Sequence, residues 1–168
     1  MLKLLSERTK LSEKIGQVKK KAGQPVFDPA REEALLQELE KSNSGKISNR
    51  ALRAIYYELF SASRAKQKRL RIGYILDPDR EGYIAARDRF GAHEEFRPFQ
   101  TATLALEAVT AGQVEVAVVP AAKISVFQSA AWAKRGVGIS GEIWSHRTKK
   151  ATRNGGFIFY LVTKIKKL

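Results

Sequence analysis

The chain has 168 residues, 43% of them apolar, and carries 31 lysines and arginines against 17 acidic residues, for a formal charge of +14. That length suits one domain or two small ones, and no apolar run approaches the ~18 residues a membrane span needs. With no cysteine and only two histidines, disulfide and thiolate chemistry is excluded, and a metal site would have to rest on carboxylates that are not clustered. A reducing cytoplasmic setting and no cofactor are therefore expected.

Leu4, Leu11, Ile15, Val18 and Ala22 keep a 3.6-residue stripe that predicts a first helix, ended by Gly23 and Pro25. Asp28 before Pro29 reads as an N-cap followed by proline at the first helical position, with acidic residues in the first turn. Leu35, Leu36 and Leu39 give that second helix its apolar face. Ser42 to Gly45 is a turn, and Ser48 caps a third helix with Leu52, Ile55, Tyr56, Leu59 and Phe60 inside. The basic stretch from Arg64 to Arg71 closes it, which puts a domain boundary after residue 70.

From Arg71 the pattern changes. Ile72 to Leu76 reads as a strand, Asp77 to Gly82 as a loop and Tyr83 to Phe90 as a helix. Thr103 to Ala111 predicts another helix, and Val114 to Val119 an almost uninterrupted β-branched strand. Val137 to Ser145 and Phe157 to Ile165 are predicted as further strands. A strand apolar on both faces belongs in the middle of a parallel sheet covered by helices. The expected architecture is an all-α three-helix domain over residues 1–70, then a small α/β domain over 71–168 with a mostly parallel sheet.

The helical half spaces a set of polar residues along faces that otherwise read as core: Arg8, Lys19, Asp28, Arg31, Glu32, Ser63 and Gln67. Arg8 and Lys19 lie close to three helical turns apart, roughly 16 Å at 1.5 Å per residue. Two long cations on one face could clamp a dianion. Ser63 and Gln67, one turn apart, extend the stripe of Tyr56 and Leu59 and need partners if buried. The set has no nucleophile–base pair and suits holding and polarising a substrate. The same spacing also fits solvated charges, or charges that merely tie helices together.

The basic field would attract nucleic acid, anionic membrane or small anions. It is strongest after Glu142, beyond which no acidic residue occurs. No helix-turn-helix, RNA-binding signature or aromatic–basic interleaving accompanies it, so a nucleic-acid partner is not favoured and no membrane partner is expected.

Leu4-Leu5-Ser6-Glu7-Arg8, Ile15-Gly16-Gln17-Val18-Lys19, Pro25 to Glu32 and Ser61 to Gln67 together resemble the all-helical class of chorismate mutase. The resemblance implies an intertwined homodimer through the helical domain, converting chorismate to prephenate in aromatic amino-acid biosynthesis. It makes Lys19 and Gln67 the pair at the ether oxygen of the breaking bond, and Arg8, with Ser63, the grip on a carboxylate. Asp28, Arg31 and catalytic Glu32 surround the ring hydroxyl. Such a rearrangement gains from restricting a floppy dianion to its reactive conformer and from donors where charge builds on oxygen. In the family an earlier stretch of the first helix also supplies an arginine to the neighbouring site. No equivalent stands in this sequence; either the natural start lies upstream of Met1 or a carboxylate ligand is missing. Losing such a donor typically costs about 2–4 kcal/mol, so weak or absent activity is expected of the chain as written.

Arg71 to Leu76, Tyr83-Ile-Ala-Ala-Arg87 and Ala111 to Pro120 resemble the first lobe of prephenate dehydratase, which follows a mutase domain in bifunctional enzymes. Asp77 to Gly82 replaces that family's glycine-rich loop, Ala121-Ala122-Lys123 its Glu-Asn pair, and Asn154-Gly155-Gly156-Phe157 its Thr-Arg-Phe motif. The expectation is a non-catalytic lobe. A relic that binds anions or nucleic acid and a full bifunctional mutase–dehydratase are the alternatives. Trp132 and Trp144 are expected in core or interface and His93 and His146 at the surface. Gly155-Gly156 reads as a turn, and Asp77, Asp79 and Glu81 as only a superficial likeness to a metal loop.

Overall fold

A computed structural model describes residues 1–123, 132, 134–145 and 157–164. The elements run α1 (Leu2–Lys21), α2 (Pro29–Ser42), α3 (Asn49–Ala65), β1 (Arg71–Ile75), α4 (Glu81–Phe90), β2 (Glu95–Phe99), α5 (Ala102–Thr110), β3 (Val116–Pro120), β4 (Val137–Ser145) and β5 (Phe157–Lys164). They form two compact units. One holds Met1–Leu70 together with Phe90–Glu94, the other Arg71–Arg89 and Glu95–Leu168.

Local chemistry sets the helix ends of the first unit. Lys19, Lys20 and Lys21 lie at the negative end of the α1 dipole, and Gly23 turns the chain at φ +62°. The Asp28 carboxylate accepts the Arg31 N–H at 3.1 Å to start α2, and the Ser48 hydroxyl accepts the Ala51 N–H at 3.2 Å to start α3. α3 contacts both other helices. Leu36, Phe60, Leu70, Phe27 and Phe90 are buried there, and the Phe27 and Phe90 rings meet edge to face at 5.4 Å.

Arg53 on α3 ties down α2, with Nη2 at 2.8 Å from Glu33 and Nε at 2.6 Å from Glu40. That hydrogen bond holds the Glu40 carboxyl below the usual glutamate range, against the opposing effect of burial. A depressed folded-state value stabilises above the unfolded one and is lost as pH falls through it. Arg53→Met is expected to cost about 1 kcal/mol near neutral pH and less in acid, read from urea midpoints at pH 7 and pH 3.

The stripe on α1 is not core within a single chain. α1 buries none of its residues, and Leu4, Leu11 and Val18 are 69%, 58% and 66% exposed. Its apolar spacing is real, but α1 meets α3 on another side, through Arg8 and Gly16.

In the second unit the strand order is β2-β1-β3-β5-β4. β1 pairs parallel with β2 and β3, whereas β5 runs antiparallel to both β3 and β4. The sheet is thus mixed, and the expectation of a mostly parallel sheet is corrected. Full burial of β3 at Val116, Ala117, Val118 and Val119 follows from its central place in the sheet and does not fix the direction of its neighbours. β2 was not foreseen, because Glu95, Arg97 and Pro98 break the apolar pattern. It is an edge strand, where proline and charge are tolerated. α5 buries Ala102, Ala105, Leu106, Ala108 and Val109, and its N-terminus is capped by the Thr101 hydroxyl at 3.2 Å from the Leu104 N–H. Trp132 is buried in this core and His93 is exposed. The Trp144 side chain, His146, Gly155-Gly156 and most of the basic tail lie outside the described residues.

The loop after β1 is closed by its own aspartate. Asp77 accepts the Glu81 N–H at 2.8 Å and the Gly82 N–H at 2.9 Å, so a carboxylate occupies the start of α4. A β-carbon on Gly82 would stand 2.6 Å from the Ile75 carbonyl oxygen, which explains glycine there.

Candidate active site

Each anticipated residue of the helical unit has a definite place. Arg8, on α1, lays its guanidinium 5.7 Å from the centre of the Phe60 ring on α3. Its Nε is buried and has no hydrogen-bond partner. Gln67 lies just beyond the end of α3 and crosses α1 at Gly16, where an added β-carbon would come within 2.5 Å of its Cγ. The Gln67 Oε1 is also buried without a partner. Rotating the amide puts its Nε2 donor in the same position, so the group can present either polarity there. An unsatisfied buried polar atom costs about 1–3 kcal/mol, and such atoms are rare unless something else supplies the bond.

Lys19 donates to the Pro25 and Val26 carbonyls at 3.2 Å each. Those bonds fix the ammonium beside the turn that precedes Phe27 and Asp28. Asp28 is exposed and spends one carboxylate oxygen on the α2 cap, and Arg31, one turn in, is exposed as well. Glu32 is largely covered and forms an ion pair with Arg64, the residue after the half-buried Ser63. The contacts therefore join α1 to α3 and its C-terminal end through Arg8 and Gln67, α1 to the turn ahead of α2 through Lys19, and α2 to α3 through Glu32.

Two residues escaped sequence reasoning. Arg64 sits four positions after Phe60, on the buried side of α3, and reads in sequence as part of a basic run. Gly16 sits inside a helix, where glycine costs roughly 1 kcal/mol relative to alanine, and that cost was the available signal for close approach. Among the described residues no three His, Asp or Glu side chains gather to hold a metal ion. No described helix is long and apolar enough to cross a membrane.

One buried unpartnered polar atom on α1 and one just past α3, a lysine held at the turn before α2 and a carboxylate paired between α2 and α3 define a helical unit whose candidate residues include no nucleophile–base pair. Residues 1–68 match the family model described as chorismate mutase type II. A bifunctional chorismate mutase/prephenate dehydratase from Aquifex aeolicus is 30% identical over 124 residues, 71% of this chain. The chain spans 34% of that relative's length, and the alignment reaches beyond the 68 matched residues. A solved structure titled a novel type of quorum quenching acylase, GqqA, aligns with 58% of this chain and 49% of its own at 21% identity, with a TM-score of 0.45.

Proposed function

We propose that the helical unit is a chorismate mutase that isomerises chorismate to prephenate, without covalent intermediates, in aromatic amino-acid biosynthesis. The observation that carries this reading is the pair of unsatisfied buried groups, Arg8 Nε on α1 and Gln67 Oε1 just past α3. A dianion entering there would accept from Arg8 and meet the Gln67 amide. Lys19 and Gln67 would bracket the ether oxygen, where charge accumulates as the C–O bond lengthens. Arg8, with Ser63, would grip a carboxylate, and Asp28, Arg31 and Glu32 would surround the ring hydroxyl. Fixing the reactive conformer supplies the remaining acceleration, so the reaction asks the protein for no proton and no electron.

A second copy of the chain is the partner this reading needs. Leu4, Leu11 and Val18 stand seven residues apart along a 20-residue helix that buries nothing of its own, leaving an apolar seam about 21 Å long. Exposed apolar seams of this kind mark association surfaces. The α/β unit is read as a non-catalytic lobe, since Asp77 fills the start of α4 where a substrate carboxylate would otherwise meet free N–H groups.

The test is loss of chorismate absorbance with the purified full chain, followed by assay for phenylpyruvate after an acid-free workup. Turnover to prephenate alone supports the proposal. Phenylpyruvate would revive the bifunctional reading, and salt-sensitive nucleic-acid binding with no turnover would replace both.

Gly16→Ala offers a sharper check on Gln67. Alanine improves helix propensity by about 1 kcal/mol, but its methyl claims the space of the Gln67 side chain. The expected result is an unchanged or slightly raised melting temperature with turnover down about tenfold or more. Full turnover in this variant would remove Gln67 from the reaction.

A further inference from the structure

We infer that Arg64 is a positioning residue for Glu32, and that the segment Phe90–Glu94 holds Arg64 in place. The helical site would then be completed by five residues lying beyond the 68 that match the mutase family. The inference rests on the mutase reading for the identity of the ligand, but its geometry stands independently.

Arg64 spends its guanidinium on three separate acceptors. Nη1 pairs with Glu32, Nε donates to Glu94 Oε1 at 2.7 Å, and Nη2 donates to the Phe90 carbonyl at 3.0 Å. Its Cζ lies over the Phe27 ring at 5.8 Å and over the Phe90 ring at 5.9 Å from the centroids. The side chain is 4% exposed and that of Glu94 0%, so both charges are out of water and depend on each other. A planar fork bonded to three acceptors and set over two aromatic rings has little freedom of orientation left, and Glu32 inherits it.

The segment that supplies Phe90 and Glu94 is itself fastened to the helical unit. The Ala92 N–H donates to Glu58 Oε2 at 3.1 Å, the His93 N–H to the Ser61 hydroxyl at 3.1 Å, and the Leu70 N–H to Glu94 Oε2 at 2.8 Å. Gly91 has φ +78°, and a β-carbon there would meet Ser61 Cβ at 2.6 Å, so only glycine lets the backbone come this close. Burial pushes the Glu94 carboxyl up, while Arg64 and the Leu70 N–H pull it back. Glu32 lies across the same guanidinium from Glu94 and repels it. The two carboxylates therefore share one cation, and changing Glu94 changes how Arg64 meets Glu32.

The experiment is a double-mutant cycle in the full chain, with wild type, Glu32→Gln, Arg64→Lys and the combined variant, and a second cycle with Glu94→Gln in place of Arg64→Lys. Two readouts are taken: kcat/KM for chorismate, and the dissociation constant for prephenate. Arg64→Lys keeps the charge but loses the fork, and about a 10- to 100-fold loss in kcat/KM is expected from misplacing Glu32. Glu94→Gln is expected to cause a smaller loss. Both losses should vanish in the Glu32→Gln background, because a residue acting through Glu32 has nothing left to position. Losses that multiply independently in both cycles and both readouts would overturn the inference. If Arg64→Lys does not fold, the Glu94 cycle decides alone. Coupled prephenate affinities with no chorismate turnover would refute the mutase reading and leave the positioning role standing. No turnover and no prephenate binding in the wild type would refute both.

Discussion

Lys19→Ala is expected to cut kcat for chorismate by about 10²- to 10³-fold, the loss that follows removal of one preorganised donor to a developing oxyanion. KM should move far less, since the ether oxygen gains its negative charge only as the bond breaks. A loss confined to the transition state lowers kcat and kcat/KM together. The ammonium also bonds the Pro25 and Val26 carbonyls, so the variant could act by loosening the turn ahead of α2. Circular dichroism and a melting curve separate the two effects. An intact fold with turnover gone assigns the loss to chemistry. Arg8→Ala makes the contrasting case, because a carboxylate grip acts before and during the reaction and its loss should raise KM. An active Lys19→Ala enzyme with unchanged kcat would end the proposed mechanism.

The second large effect concerns α1. Leu11→Glu is expected to turn a dimer into a monomer, measured by light scattering at micromolar concentration, and to abolish turnover with it. Leu11 is 58% exposed in the single chain, so glutamate there costs the isolated fold little. In an apolar seam between two copies the same carboxylate would be buried without a partner, at several kcal/mol. Leu4→Glu and Val18→Glu should behave alike, since each stands seven residues from Leu11 along the helix. A native mass that is unchanged by all three substitutions would remove the seam from any interface. The pH dependence at Glu40 and the Gly16→Ala result test the scaffold beneath both predictions.

Features that depend on neighbours along the chain were legible before any fold was known. Asp28 and Ser48 cap helices because their oxygens reach N–H groups three residues on, and no distant contact is needed for that. The run from Val114 to Val119 was legible as a buried strand because its residues are apolar on both faces. The positions of Arg8, Lys19 and Glu32 on their helices could be read from spacing, Gln67 falls just past the end of α3, and the resemblance gave all four candidate roles.

Which distant groups meet is set by folding alone. Arg64 and Glu94 are separated by 30 positions, and nothing in a basic run announces the one arginine that will be buried. Their pairing satisfies two desolvated charges at once, a condition created by folding. Strand direction was equally hidden, since a central strand is apolar whether β5 lies parallel or antiparallel beside it. The stripe on α1 shows the same limit, because periodicity reports that a face is apolar and only packing shows what covers it.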